Sequence, residues 1–503
     1  MKKIIVFLLC LTVSANFLFA QDIERNVKER LTDYFNKYTA TAKISTPKLN
    51  SFDINYDRKT IAIYASESFA YQPFRLETVE NIYNQVKELL PGPVHYYQLT
   101  IYADGKPIED LVPNFYRNKK KDKERLSLNI DYKGAPWVKN ISRPNEISRG
   151  LQNRHIAIWQ SHGNYFKNDK NEWGWQRPRL FCTTENAGAI VYTPRERDTQ
   201  KNEIIVDNDT PNASLYLEVG SKKANWTNAP VRGFAQKKTI YKEGENPFTD
   251  GTCRFIPTER KKKKNKDQVF AEWVPTLPAT GKYAVYVSYQ TLPNSVSDAK
   301  YLVFHNGGVT EFKVNQKIGG GTWVYLGTFE FDKGNNDYGM VVLSNESSEH
   351  GVVCADAVRF GGGMGNIARG GRTSGLPRYL EGARYSAQWA GMPYEVYAGR
   401  KGENDYTDDI NTRSNAINYL SGSSVYNPQQ SGLGVPLEMT MALHSDAGCS
   451  KTDELIGSLG IYTTDFNNGK LNAGTDRYAS RDLADILLTQ IQKDIYSSYS
   501  LPW

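Results

Sequence analysis

The sequence predicts a multi-domain chain: a small N-terminal α+β domain, then α/β segments that flank an all-β sandwich. Three observations carry this. The length of 503 residues exceeds what one hydrophobic core organises, at roughly 150 residues per domain. Two apolar runs, 155–160 and 439–443, are each followed within two residues by a histidine, the design of strands that carry functional groups at their C-terminal ends. Between them, short alternating strands recur about every 10 residues, the spacing of a sandwich. Hydrophobic residues at 39% and charged residues at 23% exclude a disordered or coiled-coil chain.

Residues 1–20 read as a secretory signal peptide, with Lys2 and Lys3, an apolar run over 4–13 and Ala20 at the cleavage edge. Its removal takes away two lysines and no acid, so the formal charge falls from +7 to +5. No later stretch reaches the ~18 apolar residues of a membrane span, so a secreted, periplasmic or cell-surface protein is expected. The basic runs 119–121 and 260–264 are local and lack interleaved aromatics, which argues against nucleic acid as a partner. Four cysteines follow the signal, at 182, 253, 354 and 449, and four allow three pairings. Pairing within each domain joins Cys182 to Cys449 and Cys253 to Cys354; the alternative for Cys354 is a buried free thiol.

Residues 21–145 form the first domain. Val27, Leu31, Tyr34 and Phe35 share one helical face, 51–56 and 60–64 alternate like a hairpin around Asp57 and Arg58, and 76–90 is amphipathic before a strand at 95–102. No cluster of ligands or nucleophiles occurs there.

Residues 202–363 are the all-β block, with strands expected at 283–289, 300–305, 309–314, 322–331, 338–344 and 352–360 and a closing Gly361-Gly362-Gly363. It is expected to fold as an independent unit. The motifs Glu203-Ile-Ile-Val-Asp-Asn-Asp209, Ala271-Glu-Trp-Val-Pro275, Gly320-Gly-Thr-Trp-Val-Tyr-Leu-Gly-Thr-Phe329 and Ala355-Asp-Ala-Val-Arg-Phe360 resemble the golvesin C-terminal-like domain, which also accompanies bacterial xanthan lyases. The resemblance implies a β-sandwich accessory module that holds carbohydrate, and no catalysis.

The chemistry lies in the flanks. His162, Glu185 and His444 supply two imidazoles and a carboxylate, the ligand set of catalytic zinc sites that leave a fourth position for a water of pKa near 7. A single strand-end histidine is more often structural, and His155, within its strand, is read that way. The order of motifs decides otherwise for His162 and His444. His162-Gly163, Glu185, Val191-Tyr-Thr-Pro-Arg-Glu-Arg-Asp198, Asn411-Thr-Arg-Ser-Asn-Ala416, Ala442-Leu-His444, Ile461-Tyr462 and Ser480-Arg-Asp-Leu-Ala484 resemble, in sequence, the zinc-dependent N-acetylmuramoyl-L-alanine amidases. That resemblance implies a mixed α/β amidase-like domain in two parts, 150–200 and 365–503, with the sandwich inserted between them. It also implies Zn2+ as cofactor and peptidoglycan as substrate. Trp173, Trp175 and Arg177, between the first two ligands, are candidate substrate contacts, aromatic faces for sugar and a guanidinium for a carboxylate; the alternative is a loop packed by its own tryptophans.

The family carries a further Glu, the general base, on a strand after the Ser-x-x-Leu-Ala helix, whereas this sequence ends at Trp503 just beyond that helix. Weak or absent turnover is therefore expected; Asp446 is the acid in a matched motif that could substitute, and the reading preferred for it is a structural residue or one that orients a ligand. Two other readings stand beside the hydrolase: a non-catalytic cell-surface glycan-binding protein, and a xanthan lyase-like polysaccharide-degrading protein, for which no base and neutralising cation assemble from the sequence.

Overall fold

The computed structural model describes residues 21–40, 44–118, 120–127, 130–143, 145, 150–160, 162–177, 179–180, 183–184, 201–209, 215–260, 269–444 and 458–500. Residues 1–20, 181–182, 185–200 and 445–457 lie outside them, and with them Glu185, Asp446, Cys182 and Cys449. The chain divides into two units, one of residues 1–129 with 450–503 and one of residues 130–449.

In the first unit, strands β1 (Leu49–Asn55) and β2 (Thr60–Ala65) form the expected hairpin, and β3 (Gln98–Ala103) pairs parallel to β2, with β4 (Lys106–Pro107) at the edge. A parallel pair needs a crossover, here the helix Leu76–Leu89. Its Val79, Ile82 and Val86, with Val27, Leu31 and Phe35 of the helix over 21–37, cover Ile61, Ile63 and Ile101 to make one core.

The helix Tyr478–Tyr499 belongs to this unit, not to the part carrying the strand-end histidines as the segment boundary 365–503 implied. Its buried residues are Tyr478, Arg481 and Asp482. Arg481 donates to the carbonyls of Ala70 at 2.9 Å and Gln72 at 3.2 Å, Asp482 accepts from Arg125 at 3.1 Å and the Asn114 N–H at 3.0 Å, and Asp485 accepts from Arg75 at 2.6 and 3.0 Å. The apolar residues Leu483, Ile486 and Leu487 are only half-buried. Guanidinium and carboxylate groups dock this helix because they satisfy carbonyls and N–H groups that the turns leave unpaired.

The second unit holds the sandwich. The strands in chain order are β5 (Val138–Asn140), β6 (Ile156–Gln160), β7 (Asn164–Lys167), β8 (Glu172–Trp175), β9 (Ile204–Asp207), β10 (Tyr216–Val219), β11 (Thr227–Gly233), β12 (Gly251–Pro257), β13 (Phe270–Trp273), β14 (Gly281–Val287), β15 (Ala299–His305), β16 (Gly308–Val314), β17 (Val324–Phe331), β18 (Met340–Ser344), β19 (Val352–Ala355), β20 (Ala357–Phe360) and β21 (Met439–Leu443). One sheet runs β10-β13-β18-β15-β16-β5, a second β9-β20-β14-β17 and a third β11-β12-β19. Alternating residues such as Trp273, Tyr283, Val285, Tyr301, Val303 and Leu343 face inward and are buried.

Two features depart from the expected boundaries. The edge strand β5 comes from residues assigned to the first domain and pairs with β16. The single expected strand 352–360 is two, because β19 lies in one sheet and β20 in another. Asp356 is the corner: its buried carboxylate accepts the Phe234 N–H and its carbonyl accepts the Trp273 indole N–H at 2.9 Å.

The outer face of the β9-β20-β14-β17 sheet is covered by residues 365–390 of the same unit. Phe234, Trp323, Tyr385 and Trp389 form a second core, and Glu203 accepts from Arg378 at 2.8 Å and from Trp389 at 3.2 Å. The block 202–363 therefore shares its packing with the segment that follows it. Cys253 and Cys354 are buried free thiols. Among the described residues no helix is long and apolar enough to cross a membrane.

Candidate functional site

The histidine-bearing strands β6 and β21 are neighbours. They pair parallel in register from Ile156↔Met439 to Gln160↔Leu443, so both end at one level, and His162 and His444 follow within two residues. Their imidazole centroids lie 5.3 Å apart at 81°. Among the described residues the parallel sheet consists of these two strands. Among the described residues β6 has a sheet neighbour on one side, and Ile158 is 52% exposed.

The chain turns sharply after β6. His162 has φ 41°, a left-handed conformation that costs a β-carbon-bearing residue about 1–3 kcal/mol and is held only by surrounding structure. Gly163 supplies part of that hold. A Cβ there would lie 2.6 Å from the Glu381 carbonyl oxygen and 2.8 Å from the Gly382 nitrogen, so only glycine lets the two backbones meet. Gly382 N–H donates to the Asn164 carbonyl at 2.8 Å in the same contact.

A buried polar chain runs from the ring into the unit. His162 Nδ1 lies 3.2 Å from Gln176 Oε1, which also accepts the Gly163 N–H at 3.1 Å, while Gln176 Nε2 donates to Asp409 Oδ2 at 2.6 Å. Asp409, wholly buried, is paired with Arg413 at 2.9 Å. It sits on the helix Asp405–Ser421, capped by Asn404, whose side chain accepts the Thr407 N–H. The same helix offers Asp405 to Arg369 at 2.7 Å, to Arg384 and to the Tyr385 hydroxyl at 2.7 Å. Glu243 closes this network through Arg384 at 2.6 Å.

Zinc fits the part of the ligand set that is described. One nitrogen from each of two imidazoles, bound at about 2.0–2.1 Å and a tetrahedral angle, sets the ring centres roughly 5 Å apart. The observed 5.3 Å agrees. Glu185, the third expected ligand, and Asp446 lie outside the described residues. Among the described residues no group of three His, Cys, Asp or Glu is gathered for a metal.

The expected substrate contacts separate. Trp173 is a packing residue: its ring lies 4.8 Å from Tyr385 and its indole N–H donates to the Arg372 carbonyl at 3.0 Å. Trp175 pairs with Asn164 across the β7–β8 hairpin, and Arg177 donates to the Tyr406 hydroxyl at 3.0 Å. His155 is structural, as read: its Nε2 accepts the Trp137 N–H at 3.0 Å, and burial lowers its pKa. Gln176 and Asp409 were not singled out in the sequence, where a neutral amide and one acid of an Asp-Asp pair carry no motif.

The family comparison bears on the sandwich. Residues 254–362 match the golvesin C-terminal domain. A xanthan lyase of Bacillus sp. (strain GL1) is 38% identical over 90 residues, which are 18% of this chain and 10% of that protein's length. The solved xanthan lyase of Paenibacillus aligns over 32% of this chain and 13% of its own, at 25% identity and a TM-score of 0.23. An isomalto-dextranase of Arthrobacter globiformis T6 aligns over 29% and 22%, at 12% identity and a TM-score of 0.19. A family 22 carbohydrate binding module of Clostridium thermocellum aligns over 32% and 94%, at 11% identity and a TM-score of 0.17. The sandwich block is golvesin-like, as the sequence motifs implied.

Proposed function

We propose that the chain is an exported, zinc-dependent, amidase-like hydrolase acting on the N-acetylmuramoyl-L-alanine amide bond of peptidoglycan, with the golvesin-like block as its glycan-holding companion. The observation that supports this best is the convergence of His162 and His444 beyond the level ends of a parallel strand pair. His162, His444 and Glu185 would hold the metal. Zinc, when bound, supplies a water acidified to near neutrality and a Lewis acid for the scissile carbonyl. The left-handed turn at His162 and the contact of Gly163 with Glu381 and Gly382 hold the first ring in place. Trp175 and Arg177, which lie between His162 and Glu185 in the sequence, are the proposed contacts for sugar and for a peptide carboxylate.

The substrate follows from the order of the amidase-like motifs, and a glycan context from the golvesin-like block beside a relative named as a xanthan lyase. The test is muropeptide analysis of purified peptidoglycan incubated with the full chain. Slow release of free peptide stems, abolished by chelation and restored by Zn2+, is the expected result. Unsaturated sugar products from a polyuronate glycan would favour the lyase reading, and glycan retention without bond cleavage would favour the binding protein.

A further inference from the structure

We infer that Gln176 and Asp409 are positioning residues that fix His162 as the tautomer protonated on Nδ1, so that Nε2 is the nitrogen presented for coordination. This rests on the reading of His162 as a ligand and adds which nitrogen serves and what holds it.

Donors and acceptors decide the tautomer. Asp409 is a carboxylate ion-paired with Arg413 at 2.9 Å, and its other oxygen accepts the Arg384 backbone N–H at 3.1 Å, so it only accepts. The Gln176 atom 2.6 Å away must then be the amide nitrogen. That turns Oε1 toward His162, an orientation the Gly163 N–H enforces independently, because a backbone N–H at 3.1 Å only donates. An amide oxygen cannot donate, so the proton of the 3.2 Å contact resides on Nδ1. Both ends of the amide are thus determined by groups with a single hydrogen-bonding sense. Burial of Asp409 (0% exposed) and Gln176 (9%) keeps water from replacing either partner. Metal-bound histidines typically donate their second N–H in this way, and losing the partner typically costs about 10–100-fold in metal affinity.

The test uses the full chain with 15N-labelled histidine, the His162 resonances being assigned by their loss in His162→Ala. In metal-free protein above neutral pH, long-range 1H–15N correlations are expected to show His162 as the Nδ1–H form. Gln176→Leu is expected to convert it to a tautomer mixture and to weaken Zn2+ binding about 10–100-fold by competition with a chromophoric chelator. The paired exchange Gln176→Glu with Asp409→Asn, made together with Arg413→Met because the Arg413 guanidinium lies 2.9 Å from the same Asp409 oxygen and would oppose a donor there, reverses the middle bond: the amide introduced at position 409 donates to the carboxylate introduced at position 176, which still accepts from Gly163 and His162. It is expected to restore the Nδ1–H form, whereas Gln176→Glu alone sets two carboxylates together and does not. His162 found protonated on Nε2, or a tautomer indifferent to all three variants, overturns the relay. If Gln176→Leu does not fold, the wild-type spectrum and the paired exchange decide. An Nδ1–H His162 in a chain that takes up no Zn2+ would refute the zinc reading and leave the relay standing.

Discussion

Replacing Gly163 with alanine perturbs the site by one methyl group. The new Cβ would meet the Glu381 carbonyl oxygen at 2.6 Å, its carbon at 2.7 Å and the Gly382 nitrogen at 2.8 Å. Ordinary contacts begin near 3.5 Å, so a backbone must retreat by about 0.8 Å. None of the three atoms belongs to a side chain that can swing away. Overpacking of this kind costs about 1–3 kcal/mol, and the retreat strains the Gly382 N–H to Asn164 carbonyl bond, worth about 1 kcal/mol. A loss of roughly 2–4 kcal/mol is expected, concentrated at residues 156–164. The Gly163 N–H should also leave Gln176, and Zn2+ affinity should fall with it. Gly339→Ala is the control, since its Cβ would meet its neighbours at an ordinary 3.5 to 3.8 Å. Hydrogen exchange under increasing urea, with Zn2+ competition on the same samples, reads both effects. If Gly163→Ala matches Gly339→Ala in exchange and in Zn2+ affinity, the close backbone approach is not what holds the histidine turn.

Asp405→Ala leaves Arg369 with Glu243, and Arg384 with Glu243 and the more distant Asp408 at 3.9 Å; breaking such a buried pair costs about 3–5 kcal/mol, and Asp405→Asn should cost less, read as urea midpoints. Arg481→Met strips hydrogen bonds from the carbonyls of Leu111, Ala70 and Gln72; it should destabilise the first unit by about 3 kcal/mol and leave Zn2+ binding unchanged, as hydrogen exchange and chelator competition will show. Glu381 gives a pH dependence: burial pushes its carboxyl up to about 7, against the Ser374 hydroxyl and Arg378. The folded state then keeps a proton that the unfolded chain loses above its ordinary value, so the stability it gives is full below that value and is lost as pH rises through about 7. The urea midpoint of the second unit should fall between about pH 5 and pH 8, a change Glu381→Gln should flatten.

The strand pair was legible because an apolar run ending in His-Gly, with a second apolar run ending in histidine at 439–444, is a pattern that water and sheet pairing both select. The sandwich was legible from period-2 alternation. The corner at Asp356 was not, because residues 352–355 are apolar and 357–360 are apolar but for Arg359, and one buried acid between them does not mark a break. Nor was β5, three residues whose pairing is decided by β16 rather than by their own alternation. The place of the last helix was not legible, because its docking is carried by Arg481, Asp482 and Asp485 while its apolar residues Leu483, Ile486 and Leu487 stay half-buried. In the site, imidazoles announce themselves by chemistry. Gln176 does not, because an amide gains its meaning only from the groups placed at its two ends.

The most direct test of the central claim, that His162 and His444 hold one zinc between them, is elemental analysis of the purified full chain beside its His162→Ala and His444→Ala variants. One zinc per chain in the wild type, lost from both variants while their circular-dichroism spectra stay unchanged, is the expected result. A wild type without zinc after exposure to the metal, or zinc retained in either folded variant, would contradict it.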